Sequence, residues 1–163
     1  MPEIEKKFRL KAMPANLVSS GTHIAQGYVF TEGGELRVRK KEDHFFITVK
    51  GEGMLSREEW ETAIPAWVFE TIWPKTEGRR VEKIRYSIPD NGLTLEFDEY
   101  CGKLQGLVTL EVEFPNIEAA SRFFPPEWVA VAADVTTDPA YKNKSLAVFG
   151  LPSKAPQVSA NGQ

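Results

Sequence analysis

Charged and apolar residues alternate at a period of two in stretch after stretch of this chain, beginning with Glu3-Ile4-Glu5-Lys6-Lys7-Phe8-Arg9-Leu10. On a helix, Glu3, Glu5, Lys7 and Arg9 would scatter around the axis. On a strand they share one face, and Ile4, Phe8 and Leu10 share the other with only Lys6 interrupting. The pattern returns in ELRVRKKED, where Arg37 and Arg39 lie on one face, and in FFITVKG, where Thr48 and Lys50 oppose Ile47 and Val49. KEDHF between them reads as a hairpin turn. SREEWETAIP reads as a strand carrying Glu59 and Glu61 together. RVEKIRYSIP sets Lys83 and Arg85 against Ile84 and Tyr86, LTLEFDEY sets Glu96 and Asp98 against Leu95 and Phe97, and LVTLEVEF sets Glu111 and Glu113 against Leu110, Val112 and Phe114. With IAQGYVF added, seven or eight strands are visible. Helices are predicted in MPANLVSSG, AWVFETIW and NIEAASRFF.

An ordinary half-buried sheet with its polar face in water would also alternate. Such a face accepts Ser, Thr, Gln and Asn freely, whereas these strands offer mostly charge, and they segregate into basic and acidic ones. Facing carboxylates repel unless cations lie between them, and clustered Arg and Lys call for anions. An inward-facing arrangement would bind both. Eight antiparallel strands commonly remove their edges by closing on themselves. The alternation therefore points to a mainly β fold, with a closed antiparallel barrel, charges inward, favoured over the half-buried sheet.

The remaining composition narrows the partners. The chain has 163 residues and a formal charge of −3, which gives no electrostatic case for nucleic acid. No apolar run approaches the length that spans a bilayer, and the charged N-terminus lacks the apolar stretch of a signal peptide, so no membrane partner is expected and the cytoplasm is the expected compartment. Cys101 is the single cysteine and His23 and His44 are the two histidines. A Cys/His zinc site is excluded, and any metal must be held by oxygen. One domain is expected over 1–150, followed by a small, polar, mobile tail over 151–163.

The residues resemble the CYTH superfamily, the triphosphate tunnel metalloenzymes. EIEKK matches the Glu-x-Glu-x-Lys signature, and LRVRK, ITVKG, REEWE, EKIRY, LEFDEY and LEVEF follow in order, with Val135-Thr136-Thr137-Asp138-Pro139-Ala140-Tyr141-Lys142-Asn143 near the end. The similarity runs from Glu3 to about Phe149. Asp134 departs from the pattern, since many relatives carry Glu before the Val-Thr.

The resemblance implies a mainly β, α+β fold, an eight-stranded antiparallel closed β-barrel with helices packed outside, whose tunnel binds a triphosphate, an ion of about four to five negative charges near neutral pH whose hydrolysis needs charge neutralisation and an aligned water. It implies that Lys7, Arg37, Arg39, Lys50, Lys83 and Arg85 grip phosphate oxygens, with Lys142 or Lys144 helping to close the tunnel. It implies that Glu3, Glu5, Glu61, Asp98, Glu111 and Glu113 hold Mg²⁺ or Mn²⁺, two ions in the family mechanism. Glu3, Glu5, Lys7, Lys50 and Tyr28 form the implied catalytic group, although a wall or packing role also fits Tyr28; Thr48 reads as a hydrogen-bond donor to phosphate. A homodimer is a further implied possibility.

The compact single domain looks most like bacterial inorganic tripolyphosphatases, which predicts cleavage of tripolyphosphate to pyrophosphate and phosphate. The alternatives are a class IV-type adenylate cyclase or a thiamine or nucleoside triphosphatase on the same fold, and a non-catalytic polyphosphate-binding barrel.

Overall fold

The structure is a computed structural model that describes residues 4–15, 17, 20–52 and 59–152. The alternating stretches form strands: β1 (Ile4–Leu10), β2 (Thr22–Phe30), β3 (Glu35–Lys41), β4 (His44–Lys50), β5 (Glu59–Ala63), β6 (Arg80–Asp90), β7 (Leu93–Tyr100) and β8 (Val108–Phe114), with a ninth, β9 (Val131–Asp134). All belong to one sheet in the order β5-β4-β3-β2-β6-β7-β8-β1-β9, and every paired neighbour is antiparallel.

The mainly antiparallel β architecture is as expected; among the described residues no backbone pairing closes the sheet, so the closure of the expected eight-stranded barrel is not observed there. Closure of eight strands would bring β5 alongside β1. Here β1 pairs with β8 on one side, and the other edge of its Phe8–Leu10 portion is taken by β9. The segment AVAADV was not predicted as a strand because it is short and carries no alternation of charge. Among the described residues both edge strands are short, five residues in β5 and four in β9.

Apolar residues on the outward face collect beneath two covers. Phe8, Leu10, Leu95, Phe97, Leu110, Val112 and Phe114 pack with Ala120, Phe123 and Val129. The short helix α2 (Ile117–Ser121) supplies part of that layer, its first turn capped by the Asn116 side chain accepting from the Ala119 N–H at 2.7 Å. On the other half, α1 (Ala66–Ile72) and the 3₁₀ turn Trp73–Thr76 cover β2, β3 and β4, with Phe69 between Phe45 and Trp73. A Cβ on Gly27 would lie 2.4 Å from Thr76 Oγ1, so only glycine lets this turn seat on β2. The turn between β2 and β3 passes through Gly33 and Gly34 at φ 74° and 116°.

No helix is formed by the described residues of MPANLVSSG, of which Ala15 lies in a turn and the others take no regular structure; residues 16, 18 and 19 lie outside the described residues. The last helix, α3 (Asn143–Phe149), packs instead on the charged face, against β2 and β6. There Leu146 and Ala147 join Tyr28, Val81, Tyr100, Leu104, Leu107, Val135 and Tyr141 in a second core that plugs one end of the face. The predicted tail is described only at Leu151 and Pro152 and otherwise lies outside the described residues.

Candidate active site

The register fixes which charges face one another. Across β6, β7, β8 and β1 the direct partners are Lys83 with Tyr100, Arg85 with Asp98, Glu96 with Glu111, Asp98 with Thr109, Lys7 with Glu111 and Glu5 with Glu113. Because strand side chains alternate, all of these lie on the face that α3 plugs. Asp98 is 0% exposed and both of its oxygens are engaged. Arg85 donates to it as a two-pronged fork, Nε to Oδ1 and Nη2 to Oδ2 at 2.7 Å each, and Lys83 Nζ lies 2.8 Å from Oδ2. Arg85 also reaches Glu96 at 3.3 Å and Glu111 at 3.5 Å, and Lys7 Nζ lies 3.3 Å from Glu111 Oε2 while donating to the Tyr141 carbonyl. Burial alone would raise the Asp98 pKa; the Lys83 charge and the Arg85 hydrogen bonds and charge overcome it and hold the carboxyl at about 2. Burial would likewise lower Arg85, and Asp98 with Glu111 and Glu96 raises it instead. Lys83, the most buried of these cations, stays below the ordinary lysine value because burial outweighs Asp98.

The half built from β2, β3, β4 and β5 is constructed differently. Gln26 faces Arg39, Tyr28 faces Arg37, Arg37 faces Thr48, and Thr48 faces Glu61. Arg39 Nε donates to Gln26 Oε1 at 3.1 Å, Gln26 Nε2 donates to Tyr28 Oη at 3.2 Å, Arg37 Nη2 donates to Thr48 Oγ1 at 3.4 Å, and Thr48 Oγ1 donates to Glu61 Oε2 at 2.8 Å. The ion pair nearest these arginines is loose, Arg37 Nη2 to Glu61 Oε2 at 3.9 Å. Among the described residues no carboxylate comes within 4.0 Å of the Arg39 guanidinium, and the buried Arg37 Nε has no hydrogen-bond partner. Burial lowers the Arg39 pKa, the like charges of Arg37 and Arg85 lower it further, and the more distant charge of Glu61 offsets this only in part. This is an environment short of negative charge, suited to an incoming anion.

The predicted site residues fall as follows. Glu5, Lys7, Arg37, Arg39, Lys50, Glu61, Lys83, Arg85, Asp98, Glu111 and Glu113 share the charged face. Lys50 stands opposite both Glu35 and Glu59 in register. Tyr28 is 1% exposed in the second core, and burial raises its pKa, so its phenol stays protonated near neutral pH. Lys142 is exposed at the start of α3, whereas Lys144 on the same helix lies 3.8 Å from Glu35. Glu3 lies outside the described residues.

Three residues on this face escaped the motif reading. Arg9 extends the alternation of β1, and Gln26 precedes Tyr28 by two; both were legible from the period, but a single neutral amide among charges carries no motif. Thr109, buried beside Asp98, carries no charge to mark it.

As metal ligands, the acids fit in kind. Glu5 opposite Glu113 and Glu96 opposite Glu111 put carboxylates on three adjoining strands, an all-oxygen set of the type Mg²⁺ and Mn²⁺ prefer. Among the described residues no three Asp, Glu, His or Cys side chains converge into a formed cation site. Asp98 would have to release Arg85 or Lys83 to serve as a ligand.

A single antiparallel sheet with a charged, plugged face defines the class, and comparison with known proteins agrees with it. No protein-family model matches the chain. An inorganic triphosphatase of Nitrosomonas europaea is 45% identical over 152 residues, covering 91% of this chain and 98% of that protein. An inorganic triphosphatase of Acetivibrio thermocellus is 37% identical over 147 residues, covering 88% and 92%. The crystal structure of the inorganic triphosphatase NE1496 superposes with a TM-score of 0.75 at 40% identity, covering 94% of this chain and 98% of that one. An adenylyl cyclase homologue from Hippeastrum, described as having a dominant triphosphatase activity, shares the fold at a TM-score of 0.53 and 17% identity, covering 74% and 83%. The chain belongs to the inorganic triphosphatase family, in agreement with the CYTH resemblance of its strand motifs.

Proposed function

We propose that the protein hydrolyses inorganic tripolyphosphate to pyrophosphate and phosphate on this charged face, with Mg²⁺ or Mn²⁺ as cofactor. The observation that carries the reading is the pair Arg37 and Arg39, neighbours along one face of β3 and held chiefly by neutral groups, on the same face of the sheet as the carboxylates of β7, β8 and β1. Arg39 keeps its two terminal nitrogens, and Arg37 its Nε, for phosphate oxygens. Lys50 adds a point charge from the next strand. Lys7, Lys83 and Arg85, fixed by Glu111 and Asp98, present a rigid cationic floor on the other side, so the substrate is oriented with little reorganisation of the protein. Glu5, Glu111 and Glu113, with Glu3 and Glu61, would hold the metal, whose positive charge offsets that of the triphosphate. The plug formed by α3 closes one end of the face and limits water there.

A phosphate-release panel tests this. Tripolyphosphate, ATP, thiamine triphosphate and pyrophosphate are assayed side by side with Mg²⁺, with Mn²⁺ and with a chelator. Tripolyphosphate is expected to lead in kcat/KM by about tenfold or more, equivalent to about 1.4 kcal/mol of transition-state binding, and activity is expected to vanish with the chelator. Full activity in chelator would overturn the metal assignment; cyclic AMP from ATP at a comparable rate would overturn the hydrolase.

A further inference from the structure

We infer that Gln26 is a positioning residue for Arg39, and that its neutrality leaves the Arg39 charge for the substrate. The inference rests on the triphosphate-binding reading above and names a determinant of it. Gln26 is 0% exposed, sits directly opposite Arg39, and lies two residues before Tyr28 on the same face. Its amide is satisfied in one orientation: the oxygen accepts from Arg39 Nε at 3.1 Å and the nitrogen donates to Tyr28 Oη at 3.2 Å. Turning the amide over would set donor against donor at Arg39. Holding Nε fixes the plane of the guanidinium, because the group is rigid, and leaves both terminal nitrogens for a phosphate.

An amide is the side chain that does both tasks without adding charge. A glutamate would accept from Arg39 but could not donate to Tyr28 when ionised, and it would neutralise the cation. That is the arrangement two strands away, where Asp98 holds Arg85 and Lys83 with full charge compensation. Arg39 instead has a positive neighbour on its own strand, Arg37, and a further one in Arg85. An anion relieves this repulsion.

The test measures tripolyphosphate affinity by calorimetry for Q26M and Q26E, each made in the wild-type and in the R39A background, with hydrolysis followed in parallel. Both single variants are expected to weaken binding about tenfold, the scale of one hydrogen bond to a charged group, with Q26E the weaker binder. KM should rise while kcat falls much less. In the R39A background neither change should weaken binding further, because a positioning residue acts only through the group it positions. Equal losses with and without Arg39, or unchanged affinity in Q26E, would overturn the proposal. In the unmodified protein the Arg39 Nε proton is expected as a slowly exchanging guanidinium resonance, and rapid exchange would also overturn it. Absence of tripolyphosphate hydrolysis by the wild type would instead sink the functional reading, while the binding cycle still reports on Gln26.

Discussion

The β6-β7-β8-β1 half of the charged face and the β2-β3-β4-β5 half hold their cations by opposite means. In the first, Lys83 and Arg85 are held on Asp98 and Lys7 on Glu111, and Arg9 of β1 is the exception, its Nε buried without a hydrogen-bond partner. In the second, Arg39 is held by an amide and Arg37 by a hydroxyl and one loose contact. Matched charges make a rigid framework in which each cation's field is offset in part by its carboxylate. Cations oriented by neutral groups keep their field for a ligand, and the protein accepts mutual repulsion between them until the ligand arrives. Asp98 is thus an anchor as much as a candidate ligand, and Arg37 and Arg39 are the part of the face most in need of an anion.

The sharpest way to break this contrast is to remove the anchor. Asp98→Asn leaves two cations without their main counter-charge in a buried setting and is expected to destabilise the fold by about 3–5 kcal/mol. Urea midpoints measure it, and a loss below about 1 kcal/mol would put Asp98 in the same class as an exposed ion pair. Arg39→Ala should behave in reverse: stability in anion-free buffer unchanged or slightly raised, and tripolyphosphate affinity reduced about ten- to a hundredfold, or roughly 1.5–3 kcal/mol. Calorimetry with a thermal melt on the same sample separates the two quantities.

Acid unfolding sharpens the comparison from the framework side. Asp98 has its folded pKa lowered from 3.8 to about 2, so it contributes stability above its unfolded pKa that disappears as pH falls through the folded value. The contribution is about 2 kcal/mol, lost between about pH 4 and pH 2. Stability of Asp98→Asn plotted against pH should lack that part of the acid limb. The smallest effect belongs to Glu61→Gln. Its side chain is 46% exposed and its pair with Arg37 is 3.9 Å long, so the expected cost is within about 1 kcal/mol, read from the same urea midpoints.

Much of this was legible beforehand because a strand has a side-chain period of two. Once Arg37-x-Arg39, Lys83-x-Arg85 and Glu111-x-Glu113 were read as strands, a common face followed without further information. The antiparallel hairpins joining β3 to β4 and β7 to β8 set much of the local register as well. Periodicity also placed α1 and α2 closely, since both carry apolar residues at helical spacing behind a proline or an asparagine cap.

The local pattern could not say which strand lies beside which. That the Val131–Asp134 segment takes an edge of β1, that α3 plugs the polar face instead of covering the outer one, and that Asp98 rather than Glu96 anchors Arg85 and Lys83 are all results of pairings between distant parts of the chain. Gln26 shows the limit most clearly. Its neighbour on β3 is thirteen residues away, and only the assembled sheet turns a lone amide into the group that aims an arginine. The sequence by itself determined the charged face and its chemistry, because side-chain alternation is a property of each strand alone. The tertiary structure decided how those charges are matched, because an ion pair or an aimed hydrogen bond depends on separations that only packing sets.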